Sequence, residues 1–112
     1  MPEDPVAMIA CYQVRPETTG GFIDLLRATE QVYRDQSAIT ERPILRLQSR
    51  QEPGYIIEVI EWRNLGTISA IQDNEAIQAM WSRIKASWLR GDFPFQEVPE
   101  ASVPWAILQV IR

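Results

Sequence analysis

The order of elements along the chain predicts an α+β domain. The plan is ferredoxin-like, β-α-β-β-α-β, with a four-stranded antiparallel sheet and both helices on one face. Three observations carry that expectation. Apolar runs of strand length lie near both ends of the chain. Two stretches between them place apolar side chains at helical spacing. In the middle, two alternating segments meet at Gln51-Glu52-Pro53-Gly54, which reads as a hairpin turn. With 112 residues the chain predicts one domain, 1–112, large enough for a single core without staples.

PVAMIACYQV, residues 5–14, is almost wholly apolar and stops before Arg15-Pro16, as a central strand does. In the next stretch Phe22, Leu25, Leu26, Thr29, Val32 and Tyr33 form one stripe, with Asp24, Arg27, Glu30 and Arg34 outside it, so an amphipathic helix is expected. Gly20 and Gly21 belong in its first turn or before it, since each costs ~1 kcal/mol in a helix interior. PILRLQSR and GYIIEVIEW are the hairpin strands. Pairing Leu45 and Leu47 with Ile57 and Val59 leaves one face all apolar and puts Arg46 beside Glu58 on the other. Asn64 is expected to cap a short turn through Ile71, and Asp73 or Asn74 to cap the second helix. There Ile77, Met80, Trp81, Ile84 and Trp88 form the stripe, and Gly91 is the expected stop. After a proline-broken connection, residues 103–111 are the last strand.

Composition narrows the function. The hydrophobic share is 46% and the charged share 23%, as in ordinary globular domains. A net charge of -4 gives no reason to expect nucleic acid or an anionic membrane. The lone Cys11 cannot form an internal disulfide and is expected to be a small buried apolar residue. MPEDP shows no basic flank of a secretory signal, and no apolar run approaches the ~20 residues of a membrane span, so a cytoplasmic protein is expected. There is no histidine. That removes the commonest metal ligand and the usual base near neutral pH, and excludes a Ser-His-Asp or Cys-His site. No metal and no cofactor is expected.

Two helices cover one sheet face. The other is expected to carry Met8, Ala10, Tyr12, Arg46, Gln48, Ile56, Glu58, Ile60 and Trp62, too much apolar surface for a monomer. A homodimer joined through its sheet faces, around a partly polar cavity, is the expected remedy.

Over residues 5–111 the chain resembles the antibiotic biosynthesis monooxygenase family of the dimeric α+β barrel superfamily. The likeness rests on the element order, on YQVRPETTGGFIDLL, and on EVIEWRN followed by SAIQDNEAIQAMW. It implies a dimer with a cavity between sheet and helices. Some members oxidise polycyclic quinols with oxygen and neither metal nor flavin, and others degrade haem. The haem-degrading branch uses an asparagine, a tryptophan and a histidine where this chain has Ala10, Ile71 and Trp81, so haem degradation is not expected.

Within this resemblance the candidate catalytic residues are Glu58, Arg46 and Tyr12. Glu58 would take a proton, Arg46 would stabilise a phenolate or enolate, and Tyr12 would bond a substrate oxygen, which requires a carboxylate of raised pKa in an apolar cavity. Trp62, Trp81 and Gln48 are the candidate substrate contacts. Each has a structural reading too: Arg46–Glu58 as a cross-strand ion pair, Trp62 as packing at the dimer seam, Trp81 as helix core. Tyr33 and Trp88 are expected in the core. Two functions stay open. One is a cofactor-free monooxygenase for small aromatic or quinol-like substrates; the other is a non-catalytic dimer that binds a small apolar ligand or fills its cavity itself.

Overall fold

In the computed structural model, residues 3–91 and 98–99 are described, together with the backbone of 109–110. The first strand, β1 (Val6–Gln13), runs through a 3-10 turn at Pro16–Thr18 into helix α1 (Thr19–Asp35). β2 (Leu45–Gln48) and β3 (Tyr55–Trp62) form the hairpin, followed by the short α2 (Leu65–Ala70), a 3-10 turn at Ile71–Asp73 and α3 (Glu75–Ser87). Two two-residue strands follow, β4 (Arg90–Gly91) and β5 (Gln109–Val110). The sheet is antiparallel in the order β4-β1-β3-β2-β5.

Local signals explain most boundaries. Asn64 Oδ1 accepts from the Thr67 amide at 2.8 Å, and Asn74 Oδ1 from the Ile77 amide at 3.1 Å, so both asparagines cap their helices. Gly20 and Gly21 occupy the first turn of α1. That helix ends without glycine: Ser37 takes the left-handed conformation (φ 55°) and lets the Ala38 amide reach the Tyr33 carbonyl at 2.9 Å. Gly54 has a contact reason of its own. A Cβ there would overlap the Val14 carbonyl oxygen, because the hairpin turn lies against the end of β1.

The hairpin register is the expected one, with Leu45 opposite Val59, Arg46 opposite Glu58, and Leu47 opposite Ile57. β1 joins it with Met8 opposite Ile60, Ala10 opposite Glu58, and Tyr12 opposite Ile56. Met8, Ala10 and Tyr12 therefore do share a face with Arg46, Gln48, Ile56, Glu58, Ile60 and Trp62. The side of the sheet is reversed, however. This mixed face lies under the helices, where Ile56, Ile60 and Trp62 meet Phe22, Leu26 and Tyr33 of α1 and Ile77 and Ile84 of α3 in two adjoining clusters. The all-apolar face points outward, with Ile9 61% and Leu45 46% exposed. Burial of Arg46 there is tolerated because α1 supplies the Glu30 carboxylate and the Leu26 carbonyl, while Ile56, Ile60 and Trp62 beside it gain full burial.

Further expectations are corrected. α3 ends at Ser87, so Trp88 is its extended C-cap rather than part of the stripe, and Gly91 is not the helix stop. Gly91 instead pairs with Tyr12, and a Cβ on it would overlap the six-membered ring of Trp88. The place beside β1 that the last strand would fill belongs to Arg90–Gly91, while Gln109–Val110 pairs with β2 at the opposite edge. The remainder of the expected 103–111 strand, and most of the connection before it, lies outside the described residues. Between the two edges, Val98 sits fully buried against Ile57 on the outer face. Cys11 is half-buried at the rim of this small cluster, not enclosed.

A Gly54→Ala substitution should destabilise the fold by about 1–3 kcal/mol, because the hairpin must move off β1 to admit the methyl group; urea unfolding measures this, and an unchanged midpoint would refute the close approach.

Candidate functional site

Under α1, the residues singled out for chemistry form one hydrogen-bonded chain. The Tyr12 hydroxyl donates to Glu58 Oε1 at 2.8 Å, and Arg46 Nε donates to Glu58 Oε2 at 2.9 Å. Arg46 Nη2 reaches Glu30 Oε1 at 2.7 Å and the Leu26 carbonyl at 3.2 Å. Arg34 Nη2 closes the series on Glu30 Oε2 at 2.8 Å. Strand alternation presents Tyr12, Glu58 and Arg46 to one side of three neighbouring strands, and helical spacing puts Leu26, Glu30 and Arg34 on the side of α1 above them. Charges alternate along the series, two carboxylates with two guanidiniums.

Burial makes this pairing obligatory. Tyr12 is 7%, Arg46 7% and Glu58 2% exposed. An unpaired ion at such depth costs several kcal/mol, whereas a neutral, fully bonded series is tolerated. Burial pushes the Glu58 carboxyl above its usual 4.5, and the bonds from Arg46 and Tyr12 only partly offset it. Burial and then the Glu58 charge hold the Tyr12 hydroxyl well above its usual 10, so it keeps its proton. Burial acts upward on Glu30 as well, but the bonds from Arg34 and Arg46 outweigh it and leave that carboxyl below the usual value.

The candidate substrate contacts do not gather around these residues. Trp62 has no exposed surface and lies in the chain's own core, 5.0 Å from the Tyr33 ring, not at a seam between copies. Its indole N–H is buried with no hydrogen-bond partner among the described residues. Trp81 is half-buried and donates to the Tyr33 hydroxyl at 2.6 Å, bridging the two clusters. Gln48 spans the hairpin turn to the Pro53 carbonyl at 2.8 Å. At the haem-related positions, Ile71 is buried and Trp81 already bonded to Tyr33. Among the described residues no group of three or more Cys, Asp or Glu side chains is placed to hold a metal ion.

Open space lies elsewhere. A cleft of about 430 Å³ separates the start of α1 from the end of α3, and Phe22 and Trp88 form its inner wall. Both rings pack on Tyr12, at 5.3 and 5.9 Å between centroids. Helical spacing concealed this role for Trp88; the signal that could have shown it is the closeness of Gly91 and Pro94, which ends the helix early. Glu30 was also missed as the second carboxylate on Arg46, because it reads as one more solvated position on an amphipathic helix.

No family model matches the chain, and no curated protein does. Solved structures match its fold. A Nitrosomonas europaea protein assigned by name to the antibiotic biosynthesis monooxygenases superposes with a TM-score of 0.62 at 14% identity, over 81% of this chain and 88% of that one. A Mycobacterium tuberculosis protein gives 0.61 at 18% identity, over 82% and 96%. A conserved protein of Methanosarcina mazei gives 0.64 at 14% identity, over 79% and 85%. The chain thus has the ferredoxin-like α+β fold of the proteins named antibiotic biosynthesis monooxygenases. Among the described residues no helix is long and apolar enough to cross a membrane.

The two glutamates should give opposite slopes of stability with pH. Glu58, raised on folding, contributes stability that is full below the usual 4.5 and is lost as pH rises through its folded value; Glu30, lowered on folding, contributes stability present above 4.5 and lost as pH falls. Urea midpoints measured from pH 3 to 8 should therefore lose their alkaline decline in Glu58→Gln and their acid decline in Glu30→Gln. Parallel profiles for wild type and both variants would refute these environments.

Proposed function

We propose that the chain is a non-catalytic protein that binds a small aromatic or apolar molecule and works as a homodimer. One observation carries the first part. Tyr12, Glu58 and Arg46 are bonded to one another and to α1 beneath a packed layer of side chains, so the acid, base and cation of an oxygenase site are engaged internally. A base must come within hydrogen-bond reach of the proton it takes. A space large enough for a ligand, the cleft of about 430 Å³, begins on the far side of the Phe22 and Trp88 rings.

The outer sheet face supports the dimer. Ile9 and Leu45 are exposed there, with Cys11, Leu47, Tyr55 and Val59 half-buried around them, while Val98 covers Ile57. Two such faces stacked at ~10 Å would remove this apolar surface from water by a two-fold contact. The partner surface is thus the all-apolar face, and polar catalytic groups have no part in it.

A second reading has its own support. The raised Glu58 carboxyl bonded to Tyr12, on a fold shared with proteins named as monooxygenases, suits cofactor-free oxidation of a quinol-like aromatic. In that reading the packing opens on binding, Glu58 accepts the phenol proton through Tyr12, and Arg46 holds the resulting anion, with Trp81, Trp62 and Gln48 around the substrate.

Oxygen uptake separates the two. With anthraquinols and naphthoquinols the protein should consume oxygen no faster than buffer, and uptake that vanishes in Glu58→Gln would establish the second reading instead. For the assembly, sedimentation at micromolar concentration should show a dimer that the double substitution Ile9→Glu, Leu45→Glu converts to monomer. A wild-type monomer would dismiss the sheet-face contact.

A further inference from the structure

The cleft between α1 and α3 combines four features that nothing else in the fold requires together. Its volume of about 430 Å³ exceeds the roughly 300 Å³ at which ligand pockets begin. One wall is aromatic and set in place: Trp88 is half-buried, leans on Tyr12, and is seated over Gly91 so closely that no other residue fits beneath it. Phe22, buried beside it, and Leu89, 54% exposed, extend the apolar surface to the rim.

The opposite rim carries Arg15. Its carbonyl is engaged by the Thr18 amide and hydroxyl, but its guanidinium makes no hydrogen bond or ion pair among the described residues. Arg34 and Arg46, by contrast, are both paired with Glu30, Arg27 lies near Asp24, and Arg83 reaches the Met80 sulfur. An exposed arginine by itself is ordinary. One that borders a concave aromatic surface in a protein of net charge -4 is a local cation facing a flat apolar wall.

The fourth feature is the glycine pair. Gly20 and Gly21 stand in the first turn of a 17-residue helix, where glycine is still a poorer helix former than alanine. Neither has a positive φ, and a Cβ built on either would meet nothing within 4 Å. Backbone conformation and intramolecular packing therefore both leave glycine unexplained. Gly21 borders the cleft, where a side chain would project into the open volume. Keeping that volume clear is the physical reason that remains.

We infer that this cleft binds an aromatic carboxylate, its ring lying against Trp88 and Gly21 and its carboxylate paired with Arg15. The inference rests on the binding-protein reading above and adds to it a place and a ligand chemistry. Indole stacking recognises the planar ring, and a guanidinium accepts a carboxylate in a two-bond fork. A neutral or non-aromatic molecule would satisfy only one of the two.

Amide and indole NMR of the full chain, titrated with 2-naphthoate, tests it. Saturable shifts are expected at Gly20, Gly21 and the Trp88 indole N–H. The neutral 2-naphthylmethanol and the alicyclic cyclohexanecarboxylate should each bind at least about fivefold more weakly, as should Arg15→Gln toward 2-naphthoate. Gly21→Leu should abolish binding while leaving the melting temperature unchanged or higher, since it removes a helix glycine and meets no neighbour. Shifts centred elsewhere, equal affinity for the neutral probe, undiminished affinity in Gly21→Leu, or no saturable shifts would each overturn the cleft. Oxygen-dependent turnover would overturn the non-catalytic reading and leave the cleft's test untouched.

Discussion

The guanidinium of Arg46 is the constraint around which the rest of the domain is arranged. It lies between two carboxylates, Glu58 on the neighbouring strand and Glu30 on the helix above, and also holds the carbonyl of Leu26. A charge on a sheet ordinarily turns to water. This one turns inward because α1 carries a carboxylate and a carbonyl at the spacing that meets it. The pairing ties β2 to α1 across the layer boundary and lets the helices cover this side of the sheet without an unpaired charge. Ile56, Ile60 and Trp62 share the face with Glu58 and are buried with it.

The apolar face left outside is the consequence. Sheet and helix layers usually meet through their most apolar surfaces, and Leu45, Leu47, Ile57, Val59 and Ile9 would have served. The face that is covered carries large side chains of its own, Ile56, Ile60 and Trp62, and the paired charges let it be buried without leaving an orphaned ion. Val98 covers one point of this surface and leaves Ile9 and Leu45 in contact with solvent. The exposed apolar surface, on which the proposed second copy would sit, is thus the face opposite to the one that carries the titratable groups.

The same separation shapes the functional reading. Groups suited to acid-base work are deep, paired and neutral as a set, while the space suited to a ligand opens at the far ends of α1 and α3. Tyr12 touches both regions, through its hydroxyl to Glu58 and through its ring to Phe22 and Trp88. A fold shared with solved structures at 14–18% identity, one of them named as a monooxygenase, speaks to the backbone alone. Side chains decide activity, and the binding reading proposed above rests on theirs.

From residue order alone the first strand, the hairpin and the helices, the Asn64 cap, Asp73 or Asn74 as the next cap, the hairpin register and the common face of Met8, Ala10 and Tyr12 with Arg46 and Glu58 could be read. All of these depend on alternation, helical spacing and capping, which act between close neighbours or across one turn. Which face lies inward could not be read, because it depends on contacts between distant elements, such as Glu30 meeting Arg46 from 16 positions away. Nor could the departure of Trp88 from its helix, since a stripe at regular spacing carries no mark of where the backbone straightens. The edge positions of Arg90–Gly91 and Gln109–Val110 were hidden for the same reason. Local periodicity determines which side chains travel together; only the assembled layers, by pairing charges from distant segments, determine whether they face the core or the solvent.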